Sequence, residues 1–236
     1  MVWKNESVGQ NDYGSVPHSS QSGEGLRWRA WPCAACSGGV SPVGHLVRCL
    51  ASSSAVQPAS PEAIAQTQAG QLLEWVGHCA HHAQGEILLP KVAEGSEHIV
   101  FLDATNAKVF KATKRGLYGE SYYLVDNIVN QRNCSPLEYL LRLRFWKKIF
   151  LSAPKDLGIT EAGQIISTHE FISGNPPTQE AVDFFLAESG LTAVRQNCWL
   201  WKKSYPEFDI WVGDARLDNF VQTPAGIVPI DIRVWT

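Results

Sequence analysis

The sequence predicts an α+β fold, in which groups of short strands are separated by single helices. Three β-rich runs, HIVFLD, KVFKAT and GQIISTHE, lie on either side of a leucine-rich helical stretch. Four more short runs, CWLWKK, FDIWVGD, NFVQT and GIVPID, occupy the C-terminal part of the sequence. The order is strands, helix, strand, helix and a β-rich end, which differs from the strict alternation of a doubly wound parallel sheet.

The composition indicates a globular protein with a hydrophobic core. Of the 236 residues, 44% are hydrophobic and 18% are charged, and the net charge is −3. That charge argues against general binding of nucleic acid or of an acidic membrane surface. No apolar run is long enough to span a bilayer, and the N-terminus does not resemble a signal peptide. Because the six cysteines do not resemble a disulfide framework, we expect a cytoplasmic protein without a membrane partner.

Residues 1–58 differ in composition from the rest of the chain. They are rich in Ser, Gly and Pro, as in SVPHSSQSGEG and CLASSSAVQPASP, and this low-complexity composition predicts a disordered tail. Within it, Cys33, Cys36, His45 and Cys49 are zinc-ligand residue types, but their spacing is not one of the common finger spacings. We therefore expect residues 60–236 to form the folded domain.

Capping residues mark three helices. Ser60 and Pro61 are an N-cap and first-turn pair, and the apolar residues that follow predict a helix ending near Gly85. Ser135 precedes a second, strongly amphipathic helix, SPLEYLLRLRFWKKIF. The third, TQEAVDFFLAESG, is closed by Gly190.

Turn signals separate the strands. GEILLP is a short apolar run, and AEGSE, which contains Gly95, is the turn before HIVFLD. The next turn, ATNA, joins HIVFLD to KVFKAT as a β-hairpin.

One group of polar residues suggests chemistry. In VGDARLDNFVQT…GIVPIDIR, Asp214 and Asp231 bracket Asn219, and each acid follows a β-like run. Oxygen ligands of this kind suit Mg²⁺. A D-x4-N spacing alone is common by chance, and its position before a strand ending in Ile230-Asp231 makes it more specific.

These residues resemble the catalytic segment of the protein-kinase-like and aminoglycoside-phosphotransferase superfamily. From about Pro61 to Val234, the chain more closely resembles the compact kinase-like domains of polyvalent proteins from phages and mobile elements and of related bacterial proteins. The resemblance implies a reduced protein-kinase-like two-lobe fold with a truncated C-terminal lobe. It also implies that the protein binds ATP and Mg²⁺ and transfers the γ-phosphoryl group to a hydroxyl acceptor.

The resemblance gives each residue of the group a role. Asp214 would orient the acceptor hydroxyl and accept its proton, while Asn219 and Asp231 would hold Mg²⁺. As the lysine that contacts the nucleotide phosphates, Lys111 fits by strand placement, with Lys108 as the alternative.

Two further residues complete the expected nucleotide site. Glu138, in the first turn of the second helix, would hold the lysine, and Gly95 lies where the phosphate-binding turn is expected. Glu138 is also an acid at a helix N-terminus, where a carboxylate is favourable without any further role. A single glycine supplies fewer free backbone amides than a glycine-rich loop, so nucleotide binding is expected to be weak.

The departures from the larger kinase pattern leave alternatives open. Asp231 is followed by Ile232-Arg233 rather than Phe-Gly, and Val212 replaces the histidine common in the phosphotransferases. We expect no large peptide-substrate platform, and hence a small acceptor or one presented by another protein. The alternatives are a catalytically inactive relative that binds nucleotide or a protein partner, and a phage or mobile-element protein that acts as a scaffold.

Overall fold

The computed structural model describes residues 26–30, 60–78, 84–125, 128–195 and 199–236. Within these ranges the chain has an α+β fold with three helices and fifteen strands. None of the helices in the described ranges is long and apolar enough to cross a bilayer.

The three helices begin where the capping residues predict. They are α1 (Pro61–His78), α2 (Pro136–Ile149) and α3 (Gln179–Glu188). Ser135 forms a capping box with Glu138, and Thr178 Oγ1 accepts a hydrogen bond from the Ala181 amide at 3.2 Å. The expectation that α1 ends near Gly85 is wrong, because Gly85 lies in a strand.

The largest sheet has seven strands, and all of its neighbouring strands are antiparallel. Its strands are β1 (Leu26–Ala30), β2 (Gln84–Ile87), β3 (Lys91–Glu94), β4 (His98–Asp103), β5 (Lys108–Thr113), β8 (Lys155–Ile159) and β9 (Ile165–Glu170). They lie side by side in the order β2-β1-β8-β9-β5-β4-β3. The hairpin predicted between HIVFLD and KVFKAT is confirmed as β4–β5.

Strand β1 corrects one expectation about the N-terminal segment. It lies within the predicted disordered tail, yet it pairs with β2 and β8. The other residues of that segment lie outside the described ranges, as do the four zinc-ligand residue types.

A four-stranded sheet and two hairpins complete the fold. The sheet has the order β10-β11-β12-β15, and the hairpins are β6–β7 and β13–β14. The bounds are β6 (Glu120–Val125), β7 (Ile128–Asn133), β10 (Thr192–Arg195), β11 (Leu200–Ser204), β12 (Asp209–Gly213), β13 (Phe220–Thr223), β14 (Gly226–Pro229) and β15 (Arg233–Trp235).

Helix α2 joins two hydrophobic cores. Its Leu140 is buried with Leu72 of α1 and Ile165 of β9, in a core beside the large sheet. Six residues later, Trp146 belongs to a second core that contains residues of the four-stranded sheet, helix α3 and Ile232. The segment before Ile232 is therefore positioned beside the face of the large sheet that α2 covers.

Candidate functional site

An ion pair joins the large sheet to the segment after β14. Lys111 Nζ on β5 donates hydrogen bonds to Asp231 Oδ1 at 2.9 Å and to the Ile230 carbonyl at 3.0 Å. The Lys111 side chain is 12% exposed, whereas that of Asp231 is 52% exposed. The lysine is thus largely enclosed, and the carboxylate is accessible from solvent.

Strand geometry separates Lys111 from its alternative, Lys108. Side chains three positions apart on a strand lie on opposite faces, and Lys108 is exposed, opposite Asp103 and Glu170. Of the two candidate lysines, Lys111 is therefore the one that the fold brings to Asp231.

Lys111 also controls the ionisation of its partner. Desolvation opposes the charged form of Asp231, but the nearby ammonium of Lys111 and its hydrogen bond outweigh that effect and hold the pKa well below its usual range. Asp231 is therefore a carboxylate at neutral pH, the form that binds cations.

Asn219 forms hydrogen bonds with the backbone of both Asp214 and Ile230. It ends the 3-10 turn Leu217–Asn219 and is 2% exposed. Its Nδ2 donates to the Asp214 carbonyl at 2.7 Å, and its own carbonyl accepts the Ile230 amide at 2.8 Å. Because the amide nitrogen is used by the backbone, the side-chain oxygen is the end that can bind a cation.

Asp214 has an unusual backbone and two arginine neighbours. Its φ is +56°, a left-handed conformation that Asp tolerates better than most residues and that often marks functional sites. Arg216 Nε lies 2.7 Å from its Oδ1, and Arg233 Nε lies 3.9 Å from its Oδ2. Neither arginine is marked by the residue pattern of the sequence, although Arg216 lies two residues after Asp214 in the same motif.

Glu138 does not hold the lysine. Its carboxylate pairs with Arg132 and accepts the Ser135 amide at 2.8 Å, which closes the capping box. The predicted Lys111–Glu138 pair is therefore wrong, and the helix-terminus interpretation of Glu138 is confirmed.

Gly95 lies in the turn between β3 and β4. Its amide donates to the His98 carbonyl at 2.9 Å, and a Cβ added there would meet no atom within 4 Å. A contact with nucleotide at this turn stays a prediction.

A second, buried set of charges lies under the site. Arg142 Nη1 of α2 donates to Glu97 Oε2 at 2.8 Å, and Arg233 Nε lies 3.0 Å from Glu97 Oε1. Burial opposes the ionisation of Glu97, but the two arginines outweigh it and lower its pKa. Arg233 also pairs with Glu120 at 2.8 Å, so it links β15, β6 and the turn before β4.

Two histidines on the same sheet are held neutral. Burial, reinforced by the charge of Lys111, lowers the pKa values of His98 and His169 to about 4. His98 Nε2 lies 2.8 Å from the Tyr139 hydroxyl, and His169 Nδ1 lies 2.8 Å from the Glu170 carbonyl. Both contribute polarity without positive charge near Lys111.

The side-chain oxygens of Asn219 and Asp231 are of the type that binds a hard cation whose remaining ligands are water and phosphate. Among the described residues, no group of three or more His, Cys, Asp or Glu side chains is arranged to hold a metal ion. Asn219 and Asp231 are joined through the backbone, because the Asp231 amide lies 3.4 Å from the Asn219 carbonyl. Mg²⁺ commonly uses one or two protein oxygens together with water and phosphate, which fits this pair.

Comparison with known proteins assigns the chain to no family. No protein-family model, no curated protein and no solved structure matches the chain.

Proposed function

We propose that the chain is a compact kinase-like phosphotransferase that moves the γ-phosphoryl group of ATP to a hydroxyl acceptor with Mg²⁺. The observation that carries this proposal is the 2.9 Å contact between Lys111 and Asp231, two residues that are 120 positions apart. A phosphate-binding lysine and a magnesium-binding aspartate must face the same nucleotide, so they must be neighbours.

The position of Lys111 in the fold supports the same reading. It lies on β5, the third strand of the consecutive strands β3, β4 and β5, and helix α2 comes later in the chain. In protein kinases the phosphate-binding lysine is on the third strand of its sheet.

The roles follow from the charges. Bound Mg–ATP would supply the electrophilic phosphorus. Lys111 binds the phosphates, and Asp231 and Asn219 hold the cation through their oxygens. Asp214 orients the acceptor hydroxyl and takes its proton, and Arg216, beside it, neutralises charge on the group in transfer.

Glu138 favours a second candidate function, nucleotide binding without transfer. In active kinases a helix glutamate holds the lysine, but here Glu138 is engaged by Arg132. Lys111 therefore has Asp231 as its partner, and this pair must open for a metal to use both carboxylate oxygens. A mobile-element scaffold protein that binds no nucleotide is the third candidate.

Isothermal titration of the full chain with ATP, with and without Mg²⁺, tests the proposal. We expect Mg²⁺-dependent binding that Asp231→Ala weakens about tenfold or more, a loss of about 1.4 kcal/mol. Asp209→Ala is the matched control, because Asp209 forms a surface pair with Lys202 at 3.3 Å. If the wild-type chain binds no Mg–ATP, the proposal is wrong and the scaffold function is favoured.

A further inference from the structure

The β6–β7 hairpin places a tyrosine hydroxyl beside the proposed base. Tyr122 of β6 packs its ring against Gly213, where an added Cβ would lie 3.5 Å from Tyr122 Cδ2. The ring also meets Trp235 of β15, with a centroid separation of 5.3 Å, and Trp235 lies against Gly213 as well. The ring is therefore fixed next to the residue that precedes Asp214.

Arg233 connects the Tyr122 hydroxyl to the Asp214 carboxylate. Arg233 Nη1 donates a hydrogen bond to the Tyr122 hydroxyl, and its Nε lies 3.9 Å from Asp214 Oδ2. The guanidinium carbon lies 5.1 Å from the centre of the Tyr122 ring. One arginine thus holds both the phenol and the carboxylate.

We propose that the Tyr122 hydroxyl is itself an acceptor, so that the protein phosphorylates its own hairpin at this tyrosine. The inference rests on the proposed function, and it names the hydroxyl that the reaction requires. Tyr122 is the hydroxyl that shares Arg233 with the proposed base Asp214.

The transfer needs only ATP, the Tyr122 phenol and the Asp214 carboxylate as reacting groups. The phenolic oxygen forms a bond to the γ-phosphorus as the bond from that phosphorus to the β–γ bridging oxygen breaks. The electron pair leaves with ADP, and the phenolic proton moves to Asp214, which later releases it to water. The products are ADP, phosphotyrosine and one proton.

The same arginine suits the product. A phosphotyrosine carries about −1.5 to −2 charges near neutral pH, and a guanidinium binds phosphate oxygens in a bidentate manner. Arg233 is 11% exposed, so this pair would be shielded from solvent. It would compete with the bonds from Arg233 to Glu97 and Glu120, and phosphorylation would then loosen the contact between β6, β15 and the turn before β4.

The test is incubation of phosphatase-treated full chain with Mg–ATP, followed by intact mass and peptide mapping. We expect one phosphate, on Tyr122, appearing at a rate constant independent of protein concentration. Tyr122→Phe and Asp214→Asn should both lose it. Tyr205→Phe should keep it, because Tyr205 stacks on Phe208 in the β11–β12 turn.

Binding and mapping together separate the two proposals. If the wild-type chain binds Mg–ATP and releases phosphate but Tyr122 stays unmodified, this inference is wrong and the proposed function stands. If it neither binds nor hydrolyses ATP, both are wrong. Because the mapping is made on the wild-type chain, a folding defect in Tyr122→Phe cannot hide either result.

Discussion

The side-chain amide of Asn219 donates to the backbone carbonyl of Asp214 at 2.7 Å. This bond joins the residue proposed to hold a metal to the residue proposed to act as base, and it stabilises the left-handed backbone at Asp214. The five-residue spacing between them is thus a structural requirement of the turn as well as a feature of the proposed chemistry.

Asn219→Ala should destabilise the domain by about 1–3 kcal/mol, because it removes the buried Asn219 side chain and leaves the half-buried Asp214 carbonyl without its donor. Denaturant unfolding measures this loss. Asn106→Ala is the control: Asn106 is exposed and bonds Asp103 in the β4–β5 turn, so its loss should be smaller. Equal decreases in the unfolding free energy of the two variants would mean that the hydrogen bond from Asn219 stabilises the domain no more than an exposed turn bond does.

Lys111→Ala should weaken Mg–ATP binding about tenfold or more, because Lys111 is the cation placed at the proposed phosphate site. Lys108→Ala should leave binding nearly unchanged, since it lies on the opposite face of β5. Titration calorimetry on both variants decides between them. The reverse order would move the phosphate contact to Lys108, and two negligible effects would favour a protein that binds no nucleotide.

Asp231→Asn and Asp214→Asn should differ in what they remove. Asp231→Asn should reduce the Mg²⁺-dependent part of ATP binding, because it removes a charged metal ligand. Asp214→Asn should spare binding and abolish slow ATP hydrolysis, because interactions made mainly in the transition state appear in turnover. Loss of binding in both variants to the same degree would contradict the separate roles.

Glu97→Gln should cost about 3–5 kcal/mol of stability, because it leaves the buried guanidinium of Arg142 without its charged partner. Glu94→Gln is the matched control, since Glu94 pairs with Lys91 and Lys114 at the surface and should matter little. Chemical denaturation of both variants gives the comparison. A small effect for Glu97 would mean that the network is compensated elsewhere.

Stability should fall as the pH is lowered from about 6.5 towards 4. In the folded chain His98 and His169 have pKa values of about 4, below the unfolded value of 6.5. In that window the unfolded chain binds more protons, so acid favours unfolding. The lowered pKa values of Asp231 and Glu97 extend the loss: their stabilisation is present above their unfolded values and disappears as the pH falls through the folded ones.

A His98→Gln variant separates the histidine contribution from that of the carboxylates. It should reduce the pH dependence between about 6.5 and 4 to the part that comes from His169, and leave the steeper loss at lower pH unchanged. Unfolding free energies from denaturant titrations across this range measure the slope. An unchanged slope would mean that His98 titrates alike in the folded and unfolded chains.

The sequence by itself determined part of the local structure of the described residues, namely the helix starts and one hairpin. The helix starts at Pro61, Pro136 and Gln179 and the β4–β5 hairpin follow from caps, turn residues and hydrophobic period, which act between near neighbours. The same local signals missed β1, which the composition of residues 1–58 predicted to be disordered. Its pairing with β2 and β8 depends on strands far along the chain.

Only the tertiary structure decided which charges meet. The sequence places Lys111 on a strand, but it does not identify the partner of Lys111. In the folded chain Lys111 pairs with Asp231, and Glu138 pairs with Arg132. Nor could the contact of Tyr122 with Arg233, and of Arg233 with Asp214, be predicted from local sequence patterns. An ion pair forms only where two charged groups are close in space, and here the packing of α2 between two cores sets the distances between them. Helix caps and turns, in contrast, depend on residues only a few positions apart in the chain.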